Sequence, residues 1–172
     1  MIRDLLPESH RVRFQSLAIP EQHLVRLDSI SFSTAKIVLS YGIKARTIVG
    51  YCEIDEETKH SDIVLQPDAD PTDLGHEVGH HVLAGQVSPE GLALVVNDWH
   101  KAMDTEPELL FNCGLSTYSL TDGEEFFADL YSVWAMGTPL YQKARVLVRE
   151  LFPNTAAVLD NLFLEGECNG TT

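Results

Sequence analysis

"DLGHEVGHHVLAG", residues 73–85, sets three histidines and a glutamate into six consecutive positions. The segment has helix chemistry at both ends. Asp70 can cap it, Pro71 takes the first helical position, Asp73 the third, and Gly85 supplies a stop. On a helix of about four turns, His76 and His80 are four apart and project from one face, as two ligands of one metal ion must. Glu77 completes H-E-x-x-H, in which the glutamate can hold and deprotonate a metal-bound water without being a ligand itself. His81 points roughly 100° away from His80. It is expected to be a surface group, or a support behind the ligands, and not a ligand.

A catalytic zinc takes three protein ligands and leaves its fourth position to water. The third is supplied by "EEFFAD", residues 124–129, on a second expected helix, "TDGEEFFADLYSVWAMG". Thr121 and Glu124 have capping-box spacing at its start, and Gly137 is expected to end it. Glu125, 45 positions beyond His80, is the candidate ligand. Asp129 lies one turn on, on the same face, where a carboxylate can accept a hydrogen bond from the far nitrogen of a ligating histidine and fix its tautomer. Two helices each carrying an i, i+4 pair of this chemistry imply a single site, with Zn2+ favoured by the His, His, Glu donor set. Gly75 and Gly79 each cost the first helix about 1 kcal/mol against alanine. Close approach of the second helix or of the metal would account for them, as would ordinary helix packing.

The remaining chain reads as α+β. "KIVLSYG" (36–42), "ARTIVGYCEI" (45–54) and "DIVLQP" (62–67) are rich in β-branched residues and are expected to be strands, the last two joined as a hairpin. "PEQHLVRL" (20–27) has the start of a short helix. Helices are expected from Ser88 and Pro89 through "EGLALVVNDWHKAM", from Pro139 to Phe152, and over about 155–163, with a long irregular connection at 105–120. At 172 residues the chain is the size of one domain that buries about two thirds of its surface. The expected architecture is a single domain in which a small, mostly antiparallel N-terminal sheet (1–67) packs on the H-E-x-x-H helix. A helical part bearing the site (68–164) and a frayed tail (165–172) follow.

Twelve Lys plus Arg stand against 26 Asp plus Glu, a formal net charge of -14. That balance repels phosphate backbones and anionic lipid surfaces, so neither nucleic acid nor a membrane is expected as a partner. Cys52, Cys113 and Cys168 are odd in number and far apart, which fits neither a disulfide framework nor a C-x-x-C motif. The start, "MIRDLLPESHRVRF", carries charge where a signal peptide needs an apolar run, and no window reaches transmembrane length. A soluble protein is expected, cytoplasmic or exported by another route.

"HEVGH" followed at this distance by "EEFFAD" resembles the catalytic domain of anthrax lethal factor and its smaller relatives, the secreted bacterial Pro-Pro endopeptidases. In that family the third zinc ligand is the glutamate of an E-F-F-A-E/D segment, and a tyrosine seven residues before it faces the substrate. Tyr118 stands at that position. The resemblance implies a zincin-like fold of the gluzincin type and a zinc metalloendopeptidase. His76, His80 and Glu125 would hold one catalytic zinc, Glu77 would be the base, Tyr118 would donate to the oxyanion, and Asp129 would support a histidine. "DIVLQP" resembles the strand leading into the active site, and zinc peptidases receive an extended protein or peptide substrate on an edge strand. A monomer is expected. The chain departs from the family in lacking a visible secretion signal and any segment matching its determinants of proline specificity.

Two rival readings follow from the same residues. The pairing of H-E-x-x-H with a downstream E-x-x-x-F-A segment is also similar to the intracellular regulatory zinc proteases of the ImmA/IrrE kind. A zinc-stabilised, catalytically silent toxin-related module would use the same ligands without turnover.

Overall fold

The structure, a computed structural model, describes residues 1–41 and 48–164. In chain order it comprises α1 (Ile2–Leu5), β1 (Leu27–Phe32), α2 (Thr34–Tyr41), β2 (Gly50–Ile54), β3 (Ser61–Leu65), α3 (Pro71–Gln86), α4 (Pro89–Met103), α5 (Pro107–Asn112), α6 (Gly123–Ala135), α7 (Pro139–Leu151) and α8 (Pro153–Leu164). The fold is α+β, mostly helical, with one small sheet. Residues 42–47, including the expected strand boundary at Gly42 and the start of the expected strand 45–54, lie outside the described residues, as does the tail 165–172 expected to fray.

Strand order is β1-β3-β2, with β3 parallel to β1 and antiparallel to β2. The sheet is therefore mixed, not mostly antiparallel. The expected β2–β3 hairpin is present. Its polar turn is held by the Asp55 carboxylate, which accepts from the Glu57 and Thr58 amides and the Thr58 hydroxyl, while the Asp55 amide donates to the His60 carbonyl at 2.9 Å.

Two expectations upstream are corrected. "KIVLSYG" is not a strand: Thr34–Tyr41 is helical, with the Ser33 hydroxyl accepting from the Lys36 amide at its start. Ile37 is fully buried there against Val64 of β3, so one apolar position meets the sheet and the helix closes locally. The first strand is instead Leu27–Phe32, where only Leu27 falls within an expected element, the end of the short helix 20–27. Only Glu21–Leu24 of that helix forms, as a 3-10 turn. β1 is an edge strand whose polar positions find sheet partners, Ser29 donating to Asp62 and His60 pairing with Asp28 at 2.8 Å.

α3 forms as expected. The Asp70 carboxylate accepts from the Thr72 and Asp73 amides, and the Asp73 carboxylate accepts from the Asp70 amide at 2.6 Å, a reciprocal cap. The helix runs through Gly85 to Gln86, so Gly85 is interior and not a stop. Ser88 caps α4 as expected. The connection 105–120 is less irregular than expected, since it contains α5, Gly114 at a φ of +84°, and a 3-10 turn at Tyr118–Leu120. α6 is capped by Asp122, not Thr121: its carboxylate accepts from the Glu124 and Glu125 amides at 2.9 Å each. Arg145 closes the other end by donating to the carbonyls of Val133, Trp134 and Met136, before Gly137 is reached.

The core lies between α3 and α6. Leu74, Val78 and Val82 on one helix and Phe126, Phe127, Leu130 and Tyr131 on the other are all fully buried. At their crossing a Cβ on Gly79 would stand 2.8 Å from the Ala128 Cα, and one on Gly75 would stand 3.1 Å from the Ser132 Cβ. Both glycines are thus explained by backbone approach of the second helix. Among the described residues no helix is long and apolar enough to cross a membrane.

Candidate metal centre

The close crossing brings the two i, i+4 pairs together. His76 Nε2 and His80 Nε2 are 3.1 Å apart, and Glu125 Oε2 lies 3.0 Å from the first and 3.5 Å from the second. These three ligand-bearing residues form the metal-type cluster found among the described residues. Glu125 Oε2 is buried, and neither imidazole nitrogen meets it in hydrogen-bond geometry, so it has no such partner among the described residues. A carboxylate oxygen held out of water without a donor is costly. A divalent cation shared with the two imidazoles would satisfy it, so the residues present fit zinc.

Asp129, on α6, reaches His76 across the helix crossing. Its Oδ1 accepts from His76 Nδ1 at 2.6 Å, which turns the other ring nitrogen toward Glu125 and His80. Its Oδ2 accepts from the hydroxyls of Ser119 and, at 3.3 Å, Ser116. Neither serine was identified from the sequence; the signal available was that a carboxylate orienting a ligand needs donors of its own, and both sit in the connection leading to α6. Burial pushes the His76 imidazole down, but the Asp129 and Glu125 carboxylates outweigh it and hold the pKa up at about 10. Burial likewise raises Glu125, and the two histidines overcome it, taking the carboxyl to about 2.

The Tyr118 hydroxyl donates to Glu125 Oε1 at 3.2 Å from an exposed side chain. Glu77 is 7% exposed, on the next helical position after His76, and burial first, then Glu125 and Asp73 against the two histidines, push its carboxyl up to about 7. A residue missed from the sequence presses on it: a Cβ at Gly50 would stand 3.0 Å from Glu77 Oε1 and 2.5 Å from Leu65 Cδ2. Only a strand without a side chain at that point can pass so near the carboxylate.

His81 is neither exposed nor a support for the metal cluster. It is 2% exposed, its Nδ1 paired with the Ser61 hydroxyl at 2.6 Å and its Nε2 donating to the Val25 carbonyl at 3.0 Å. Burial, the largest influence, lowers its pKa and favours the neutral ring. It ties α3 to the sheet while its neighbour turns to the cluster.

A cleft of about 780 Å³ runs over the site, lined among others by Gly50, Tyr51, His76, Glu77, Tyr118 and Glu125. Its bordering strand is β2, at one edge of the sheet among the described residues. β3, the "DIVLQP" strand, does lead into α3 but is the central strand. Compared with known proteins, the chain matches no family model, no curated protein and no solved structure.

Proposed function

We propose that the chain is a zinc-dependent endopeptidase of the zincin kind, similar to the lethal factor and Pro-Pro endopeptidase family. The observation that carries the reading is the convergence of His76, His80 and Glu125 beside a buried Glu77 at the floor of an open cleft. His76, His80 and Glu125 would hold the metal, with Asp129 keeping His76 in the right tautomer. When bound, zinc supplies Lewis acidity, lowering the pKa of water and polarising a carbonyl.

Glu77 takes a proton from the attacking water and returns it to the leaving amine. Its position suits that exchange, because it is buried beside the two histidines and faces the cleft in which the water and the scissile bond would lie. The Tyr118 hydroxyl, beside Glu125 and open to the cleft, donates to the oxyanion that develops on the scissile carbonyl. The edge strand β2 borders the cleft, where an extended peptide would lie along it.

The test is cleavage of a mixed peptide library by the zinc-loaded wild type and by Glu77→Gln, with zinc content measured on both. The expected result is one zinc in each protein and hydrolysis in the wild type alone. Equal cleavage by Glu77→Gln, or none by the zinc-loaded wild type, overturns the reading.

A further inference from the structure

Beside His80 the cleft opens into a second cavity of about 270 Å³. At that size it suits one side chain and not a whole small molecule. Leu83, Ala84, Val87 and Leu92, from the end of α3 and the start of α4, give it apolar walls. Ile54, His80 and Glu124 line both cavities and so mark the passage between them.

Glu124 is an exposed residue in the first turn of α6 and ties that helix to no other element through its side chain among the described residues. Asp122 caps α6 and the Glu124 amide is satisfied by it, while the Glu124 carboxylate makes no hydrogen bond or ion pair among the described residues. Of the other carboxylates of the cleft, Asp73 accepts from the Asp70 amide, Glu125 faces the two histidines, Asp129 holds His76, and Glu77 is buried at the cleft floor, lining the larger cavity but not the smaller one. No lysine or arginine lines either cavity among the described residues. An apolar slot with one uncommitted carboxylate at its mouth matches a long cationic side chain, whose methylenes lie on apolar surface while the charge stays at the polar end. An acidic side chain would meet Glu124 with like charge, and a proline has no cation to offer it.

The geometry points to a specificity pocket beside His80 that takes a lysine or arginine side chain of the substrate, its stem along Leu83, Ala84, Val87 and Leu92 and its cation at Glu124. This rests on the peptidase reading for its position next to the reacting centre. It names the substrate class as peptides with a basic residue near the scissile bond.

Binding separates the two ideas. Fluorescent hexapeptides carrying Lys, Arg, norleucine, Glu or Pro at each position in turn are titrated against zinc-loaded Glu77→Gln, with and without Glu124→Gln. At one position Lys and Arg bind about fivefold more tightly than norleucine, and with Glu124→Gln the ratio falls to about one. Norleucine or Pro binding as well as Lys at every position, a cation preference that survives Glu124→Gln, or no binding of any peptide overturns the pocket. A preference that depends on Glu124 supports it even if the wild type cuts none of these peptides, a result that would sink only the peptidase reading.

Discussion

Oδ1 of Asp129 lies 2.6 Å from Nδ1 of His76, joining α6 to α3 across 53 positions of sequence. That bond decides which nitrogen of His76 faces Glu125, and the charge on Asp129 makes the imidazole a stronger base and a better ligand. Ser116 and Ser119 hold the carboxylate in turn, so the connection before α6 is tied to the same bond.

Asp129→Asn keeps an acceptor oxygen at the right place but removes the charge. Zinc affinity is expected to fall about ten- to hundredfold while the fold is retained. Competition against a chromophoric chelator measures it, and an unchanged affinity would show that Asp129 does not act on the metal through His76.

Adjacent histidines should separate cleanly. His81→Ala leaves the Val25 carbonyl and the Ser61 hydroxyl without their partner inside the protein, at a cost of about 1–3 kcal/mol, yet one zinc should still bind. His80→Ala should lose stoichiometric zinc and change the unfolding free energy of the metal-free protein by less than about 1 kcal/mol. Denaturant unfolding together with metal analysis checks both, and the opposite pattern would exchange their roles.

What could be read from the sequence follows the range of the interaction. His76, Glu77 and His80, and Glu125 with Asp129, stand four or fewer positions apart on well-capped helices, so local periodicity was enough to align them. Gly50 carries no local signal, because its need for hydrogen in place of a side chain arises from Glu77 and Leu65 arriving from elsewhere. The same holds for α2: "KIVLSYG" is short enough for either structure, and the burial of Ile37 on Val64 outweighs the β-branched bias. β1 is hidden because Asp28, Ser29 and Ser31 are polar, and the partners of Asp28 and Ser29, His60 and Asp62, lie far along the chain.

Gly79 and Gly85 offer a paired test on one helix. Alanine improves helix propensity by about 1 kcal/mol at either place. At Gly85 nothing lies within 4 Å of the added Cβ, so Gly85→Ala should stabilise the protein by about 0.5–1 kcal/mol. At Gly79 the Cβ would stand 2.8 Å from the Ala128 Cα, a backbone atom that cannot turn aside, so Gly79→Ala should cost about 1–3 kcal/mol and loosen the metal site. Urea midpoints compare the two; equal effects would mean that α3 and α6 do not meet so closely.

The charged cluster also sets a pH dependence that metal should reshape. In the metal-free protein His76 is raised from 6.5 to about 10, so its stabilisation is complete below pH 6.5 and is lost as pH rises toward 10. Glu125 is lowered from 4.5 to about 2, so its share is complete above pH 4.5 and is lost as pH falls toward 2. Glu77 is raised from 4.5 to about 7, which favours the folded state below 4.5 and withdraws that contribution between 4.5 and 7. Together these groups place the greatest contribution of the metal-free site near pH 4.5, declining below it as Glu125 is protonated and above it first through Glu77 and then through His76, a profile that thermal unfolding across pH should trace. Zinc requires the neutral ring of His76, so at pH 7.5 its binding should release about one proton, and its affinity should climb with pH until His76 titrates. Calorimetry in buffers of different ionisation enthalpy counts that proton. A binding enthalpy independent of buffer, together with a flat affinity from pH 6.5 upward, would mean that zinc does not displace a proton from His76.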